Sequence, residues 1–161
     1  MFTGIITDLG SVQAILKRGD TRFQIYTSYD TNSIALGASI SCSGTCLTVV
    51  EKGKNWFATD VSGETLSKTT LGCWSEGTPV NLERSLKLSE ELGGHFVAGH
   101  VDGVGVINSI DQEGDSFKFE FRSLIISLCL GLFNIQAVSL SGDVFFESDN
   151  NLIFFFTPKS R

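Results

Sequence analysis

The chain has 161 residues, enough for one domain or two small ones. A net charge of −6 with no basic run makes nucleic acid and anionic membranes poor partners. Thirteen Phe and seventeen Gly beside only two Pro describe a β-rich protein with tight turns and exclude a helical bundle.

In chain order, Ser11 to Ile15 and Arg22 to Thr27 predict strands joined by the turn Arg18-Gly19-Asp20. Ala38 to Ser43 alternates small or apolar with polar residues, Gly44 interrupts it, and Cys46 to Val50 is strand-like. Lys52-Gly53-Lys54-Asn55 predicts a turn before the strand Trp56 to Val61. Ser62 to Thr70 predicts a short helix, started by Ser62 with Thr65 three residues on. Gly77-Thr78-Pro79 leads into the strand Val80 to Arg84. Leu86 to Leu92 predicts a short helical linker stopped by Gly93-Gly94. Val104 to Ile110 then predicts a strand, Asp111 to Asp115 a turn, and Phe117 to Phe121 a strand whose strict alternation buries one face. Short strands at intervals of roughly ten residues indicate a closed barrel or a sandwich. Ser123 to Gly142 runs for twenty residues without a charge, long enough to span a bilayer. Its Ser, Asn and Gln content, with no Lys or Arg cluster after it, favours a buried helix running into a strand.

A repeat organises these elements. Gly4, Gly10 and Ile15 recur as Gly99, Gly105 and Ile110, at a constant offset of 95. A period that long is a duplicated domain rather than a solenoid of short repeats. The boundary falls at the linker, giving a first unit of residues 1–92 and a partial second unit of residues 93–161.

The four cysteines (Cys42, Cys46, Cys73 and Cys129) form no C-x-x-C pair, and with only two His a structural zinc site is not expected. The start has neither the basic nor the apolar region of a secretory leader, so reduced thiols in a cytoplasmic protein are the simplest expectation.

Five segments carry a resemblance: Met1-Phe2-Thr3-Gly4-Ile5, Gly44-Thr45-Cys46-Leu47-Thr48-Val49, Glu64-Thr65-Leu66, Val80-Asn81-Leu82-Glu83-Arg84, and the run from Gly93-Gly94-His95 to Gly99-His100-Val101-Asp102-Gly103. In that order they resemble the riboflavin synthase alpha-chain family, continuously to about residue 122. The resemblance implies an all-β fold of tandem six-stranded Greek-key β-barrels, the second incomplete here. Each barrel would bind one 6,7-dimethyl-8-ribityllumazine. Two such molecules dismutate: one gives a four-carbon unit to the other, yielding riboflavin and 5-amino-6-ribitylaminouracil. The family needs no cofactor and no metal. It forms homotrimers, and lumazine synthase is a candidate partner; nucleic acid and membrane are not expected partners.

The family's first ligand site falls on Gly4, Ile5, Ile6, Ser39, Cys46, Leu47, Thr48, Asp60, Val61, Ser62, Gly63, Glu64, Thr65, Gly99, His100 and Val101, with Cys46, Thr48 and His100 as the catalytic candidates. The chemistry is compatible. A flat polar heterocycle needs donors and acceptors along its edge. Glycines permit close backbone approach. Cys46-Leu47-Thr48 offers a thiol, a backbone edge and a hydroxyl, and Asp60 to Thr65 would meet the ribityl hydroxyls. Read singly, the residues leave alternatives open. Gly4 and Gly99 serve equally as turn glycines, Cys46 as a small buried residue, and Glu64 as a helix-start carboxylate. His95 fits a bond to a backbone carbonyl; His100, beside Gly99 near an expected barrel mouth, is suited to proton transfer.

The second unit departs from the family. Its Asp-Gly-x-Ser-Leu-Thr segment maps either onto Ser141-Gly142-Asp143-Val144-Phe145-Phe146 or onto Gln136-Ala137-Val138-Ser139-Leu140-Ser141. The first placement loses the hydroxyls and the second loses the turn. The counterpart of Glu64-Thr65-Leu66, the late acidic residue and the C-terminal helix are not expected before Arg161. These departures predict a weakened trimer, a defective second site, and exposed strand edges around Phe154-Phe155-Phe156. They leave three functional readings: a synthase, a non-catalytic lumazine- or flavin-binding protein using the first barrel, and a remnant with no ligand.

Overall fold

The computed structural model describes residues 1–101, 103–104, 106–114, 116–122, 135–136, 143–144 and 154–157. Its strands are β1 (Asp8–Arg18), β2 (Asp20–Tyr26), β3 (Ser39–Cys42), β4 (Thr45–Gly53), β5 (Trp56–Val61), β6 (Pro79–Arg84), β7 (Gly103–Val104), β8 (Val106–Glu113), β9 (Ser116–Arg122), β10 (Ile135–Gln136), β11 (Asp143–Val144) and β12 (Phe154–Thr157), with one α-helix, α1 (Gly63–Lys68).

The first six strands close into an antiparallel barrel in the order β1-β2-β5-β4-β3-β6. β3, β4 and β5 follow as hairpins and β6 returns beside β3, which is a Greek key. Closure leaves no free edge along the ring and turns one residue in two inward. Val12, Phe23, Ile25, Ile40, Leu47, Val49, Phe57, Val61, Val80 and Leu82 fill the interior. Each predicted strand has a counterpart: β1, β4, β6 and β9 run longer than read, β5 matches, β2 starts two residues earlier and ends one sooner, β3 is one residue shorter at each end, and β8 runs on to Glu113 into the predicted turn.

Polar side chains fix the barrel's connections. The Lys52 ammonium donates to the carbonyls of Thr31 (2.8 Å) and Ile34, holding the 3-10 turn Thr31–Ser33 on β4. Ser62 caps α1: its Oγ accepts from the Thr65 amide at 3.2 Å. A 3-10 turn at Thr70–Cys73 follows and buries Leu71 in the core.

Leu86 to Leu92 is not helical. The segment makes one turn, closed by the Glu90 amide on the Lys87 carbonyl at 3.0 Å, and its Leu88 and Leu92 are exposed. With no apolar face to bury, so short a run cannot hold a helix by itself. Gly94 has a different task from stopping a helix. A Cβ there would lie 2.3 Å from the Thr3 carbonyl oxygen, so the chain passes directly against the N-terminal arm.

Two backbone features recur at the offset read from the sequence. β1 and β2 slip register between Val12 and Ala14, and β8 and β9 slip between Ile107 and Ser109, at the 95-residue offset read from the sequence. Gly4 and Gly99 share the left-handed conformation, with φ of 84° and 76°. In the second unit β11-β12-β9-β8 form a four-stranded sheet and β7 pairs with β10 in parallel. β12 lies between β9 and β11, so the Phe154-Phe155-Phe156 backbone is not the free edge expected. Of the stretch Ser123 to Gly142, only Ile135–Gln136 falls within the described residues, and it is strand; the buried-helix reading lies outside them, as do most residues of both candidate second motifs. Among the described residues no helix is long and apolar enough to cross a membrane.

Candidate functional site

β3 and β4 sort their residues between two faces. Ile40 pairs with Leu47 and points inward; Ser39 pairs with Thr48, and Ser41 with Cys46, on the outer face. The same outer row continues across β3 to β6, where Ser41 pairs with Glu83. Cys46 and Thr48 therefore face away from the barrel interior, one half-buried and the other exposed. Cys42 shows the contrast. It is fully buried on the inner face, and burial pushes its thiol far above the ordinary range, so of the two thiols on this hairpin Cys46 is the chemically available one.

The backbone edge of β4 comes next. The Val49 amide donates to the Ala38 carbonyl at 2.9 Å, toward β3. By strand alternation the amides and carbonyls of Cys46 and Thr48 point the other way, toward β5. The β4–β5 register ends at Val49↔Thr59, with a bulge between Val49 and Glu51. Continued, it would set Thr48 opposite Asp60 and Leu47 opposite Val61; instead the strands part there. The sequence-predicted segments Cys46–Thr48 and Asp60–Thr65 thus lie on either side of the unpaired end of the β4–β5 ladder, as its two lips.

One lip is closed by the entry to the second unit. The Cys46 amide donates to the Gly99 carbonyl at 2.8 Å. A Cβ on Gly99 would stand 2.9 Å from Cys46 Cβ and 3.0 Å from Phe2 Cε2, at a φ that side chains rarely adopt. Only glycine fits between β4 and Phe2. The segment is further held by a Phe2–Val97 bridge, with bonds of 2.8 and 3.0 Å, and by the His95 amide on the Thr3 carbonyl at 2.9 Å. His100 follows Gly99 and is exposed; Val101 is half-buried. A Cβ on Gly4 would lie 3.5 Å from Val97 Cγ2, and Ile5 and Ile6 run from the arm toward β1.

The other lip is more divided. Val61 is buried in the core and Ser62 is spent on capping α1, its Oγ 3.1 Å from the Thr65 hydroxyl. Gly63 and Glu64 are exposed at the start of α1, and Thr65 is half-buried beside them. Asp60 is engaged elsewhere. Its carboxylate takes a two-pronged bond from Arg22 at 2.7 and 2.8 Å, and that bond holds its carboxyl below the ordinary carboxylate range. Arg22 also reaches Glu51 at 2.9 Å.

A cavity of about 570 Å³ lies on the far side of α1, lined by Ile15, Phe23, Leu66, Leu71 and Trp74 with Lys17 and Glu76 among its polar residues. None of the candidate ligand-site residues read from the sequence lines it. Among the described residues no group of three or more His, Cys, Asp or Glu could hold a metal ion.

A family model described as the lumazine binding domain matches residues 3–85, the whole of the first barrel. The riboflavin synthase of Bacillus subtilis (strain 168) is 38% identical over 146 residues, 88% of this chain and 68% of that protein. The chain belongs to the riboflavin synthase family. The riboflavin synthase of Brucella abortus (strain 2308) is 51% identical over 130 residues, 76% of this chain, and the match spans 64% of that relative's length. Among solved structures, LumP complexed with 6,7-dimethyl-8-(1'-D-ribityl) lumazine matches at a TM-score of 0.72 and 25% identity, over 99% of this chain and 87% of that one.

The riboflavin synthase motifs named Glu83 and Phe2 in the sequence but gave neither a role. Glu83 is only 4% exposed although it lies on the outer face of β6, and Phe2 is fully buried although it precedes the barrel. The Glu83 carboxylate accepts from the Thr3 amide (2.5 Å), the Thr3 hydroxyl (2.8 Å) and the Gly4 amide (3.0 Å). Tyr29 was likewise missed. It donates to the Leu82 carbonyl at 3.1 Å and shares a 2.5 Å bond with the Thr7 hydroxyl, while burial pushes its phenol up. A charged residue inside a β6-like pattern, where inward and outward positions alternate, was the available signal for Glu83.

Proposed function

We propose that the chain binds 6,7-dimethyl-8-ribityllumazine in the gap between β4 and β5, and that the bound molecule enters the dismutation that forms riboflavin and 5-amino-6-ribitylaminouracil. The observation that carries this reading is the parting of β4 from β5 at Val49↔Thr59. It leaves the β4 edge at Thr48 without a β5 partner, beside the Cys46 amide that the Gly99 carbonyl already takes, where family likeness is continuous. The Thr48 backbone would grip the ring edge, the Ser39 and Thr48 hydroxyls would flank it, and Glu64 and Thr65 would bond the ribityl hydroxyls. Cys46 would lie against the ring, and the exposed His100 would exchange a proton with it. The reaction needs two lumazines in register, and much of its rate advantage would come from their fixed orientation. No cofactor or metal has a part in this scheme.

The likeness to LumP supports a second reading, a binding protein that holds the lumazine without turning it over. One experiment separates them. The purified chain is mixed with the lumazine, binding is followed by fluorescence and riboflavin by chromatography. Saturable binding with steady riboflavin formation supports the synthase, binding without product supports the second reading, and no binding rejects both.

A further inference from the structure

We propose that Glu83 is the positioning residue of this site, holding the N-terminal arm in the one place where Gly99 can close over Cys46. The proposal rests on the lumazine-site reading for its consequence, but its geometry stands apart from it.

Barrel strands do not need a charge at this position. The ladder bonds of β6 to β1 and β3 run through the backbone, and its inner face is satisfied by Val80 and Leu82. Glu83 is nonetheless a carboxylate, 4% exposed, and all three of its recorded donors belong to the arm: the Thr3 amide and hydroxyl, and the Gly4 amide. Two successive amides converging on one anion, with Gly4 at a φ of 84°, form a small concave anion seat built from backbone. A buried carboxylate without such partners is strongly disfavoured, so the pairing locks the arm as firmly as the arm satisfies the charge.

What the arm then holds is the wall of the site. The Thr3 carbonyl accepts from His95, Phe2 pairs with Val97, and Phe2 packs against the Cβ position of Gly99. Gly99 in turn caps the Cys46 amide at 2.8 Å. Glu83 and Cys46 are joined a second way, through Ser41, which is register partner to both and is buried between them. Removing the carboxylate should release the arm and uncover Cys46 while the barrel, whose own bonds do not use it, remains closed.

The test uses the chain's own thiols in the full-length protein. Cys42 is buried, Cys46 half-buried and Cys73 exposed, so their rates of alkylation by iodoacetamide, resolved by peptide mass, report three environments at once. In Glu83→Gln the Cys46 rate should rise about tenfold or more, the scale expected for losing charged hydrogen bonds, with Cys42 and Cys73 unchanged. Thr3→Val, which deletes one of the three donors, should give a smaller rise of the same pattern. Affinity for the dimethyl-ribityllumazine should fall in parallel with exposure of Cys46. An unchanged Cys46 rate would overturn the proposal. So would a joint rise at Cys42 and Cys46, since that would make Glu83 a general stability residue. If the wild-type chain binds no lumazine while the selective Cys46 response is seen, positioning stands and the functional reading fails.

Discussion

Thr59 occupies the last position of β5 that pairs with β4, fully buried, with a hydroxyl that has no hydrogen-bond partner among the described residues. Leaving a buried hydroxyl unmet costs stability that a methyl of similar shape does not. Thr59→Val should therefore leave stability unchanged or raise it by about 1 kcal/mol in urea unfolding. A clear loss would show that the hydroxyl has a partner. Asp8 is the opposite case. Burial raises its carboxyl, but bonds from the Ser28 and Thr27 hydroxyls and the Ser28 amide outweigh that and hold it below 3.8. A folded value below the unfolded one contributes stability above pH 3.8 that is lost as pH falls through the folded value. Asp8→Asn should be less stable than wild type at neutral pH, with the gap closing in unfolding measurements taken below pH 3.8. At the gap itself, Thr48→Val and Glu64→Ala should each weaken lumazine binding by about 1 to 3 kcal/mol, read by fluorescence titration. Equal affinity in both variants would remove these residues from the site.

The elements differ in how openly the sequence displays them. Strand alternation made β3 and β9 readable, and Ser62 with Thr65 announced the cap of α1. The linker was misread because Gly93-Gly94 has the form of a helix stop, and a stop signal does not say whether the residues before it have anything to bury against. Gly94 exposes the same error. It stands there for the 2.3 Å approach of the Thr3 carbonyl, a contact across ninety-one residues that no local pattern records. This separates two neighbouring substitutions. Gly93→Ala meets only Ile5 Cδ1 at 3.6 Å and should be tolerated, whereas Gly94→Ala must push the arm away. Amide hydrogen exchange should show faster exchange at Phe2 and Val97 in Gly94→Ala and no change in Gly93→Ala. Protection retained in both would mean that arm and linker move together without losing their bridge.

At the scale of the molecule, the repeat was legible because its offset survives in glycines, and the paired bulges at Val12/Ala14 and Ile107/Ser109 give it a backbone form. The proposed site was named in the sequence as two segments, Cys46–Thr48 and Asp60–Thr65, but not as residues flanking one end of the β4–β5 ladder. Where β4 and β5 part depends on a bulge and on register, which pairing across the barrel decides. Nor did the sequence separate Asp60, turned to Arg22, from Glu64, left exposed. The cavity beside α1, around Phe23 and Trp74, offers a rival location for any bound molecule. The most direct test of the account is backbone amide NMR of the labelled chain titrated with 6,7-dimethyl-8-ribityllumazine. The account predicts saturable shifts concentrated at Cys46–Thr48, Ser62–Thr65 and Gly99–Val101, with Ile15, Leu71 and Trp74 unmoved. Shifts confined to the Phe23–Trp74 cavity, with the β4 edge silent, would contradict it.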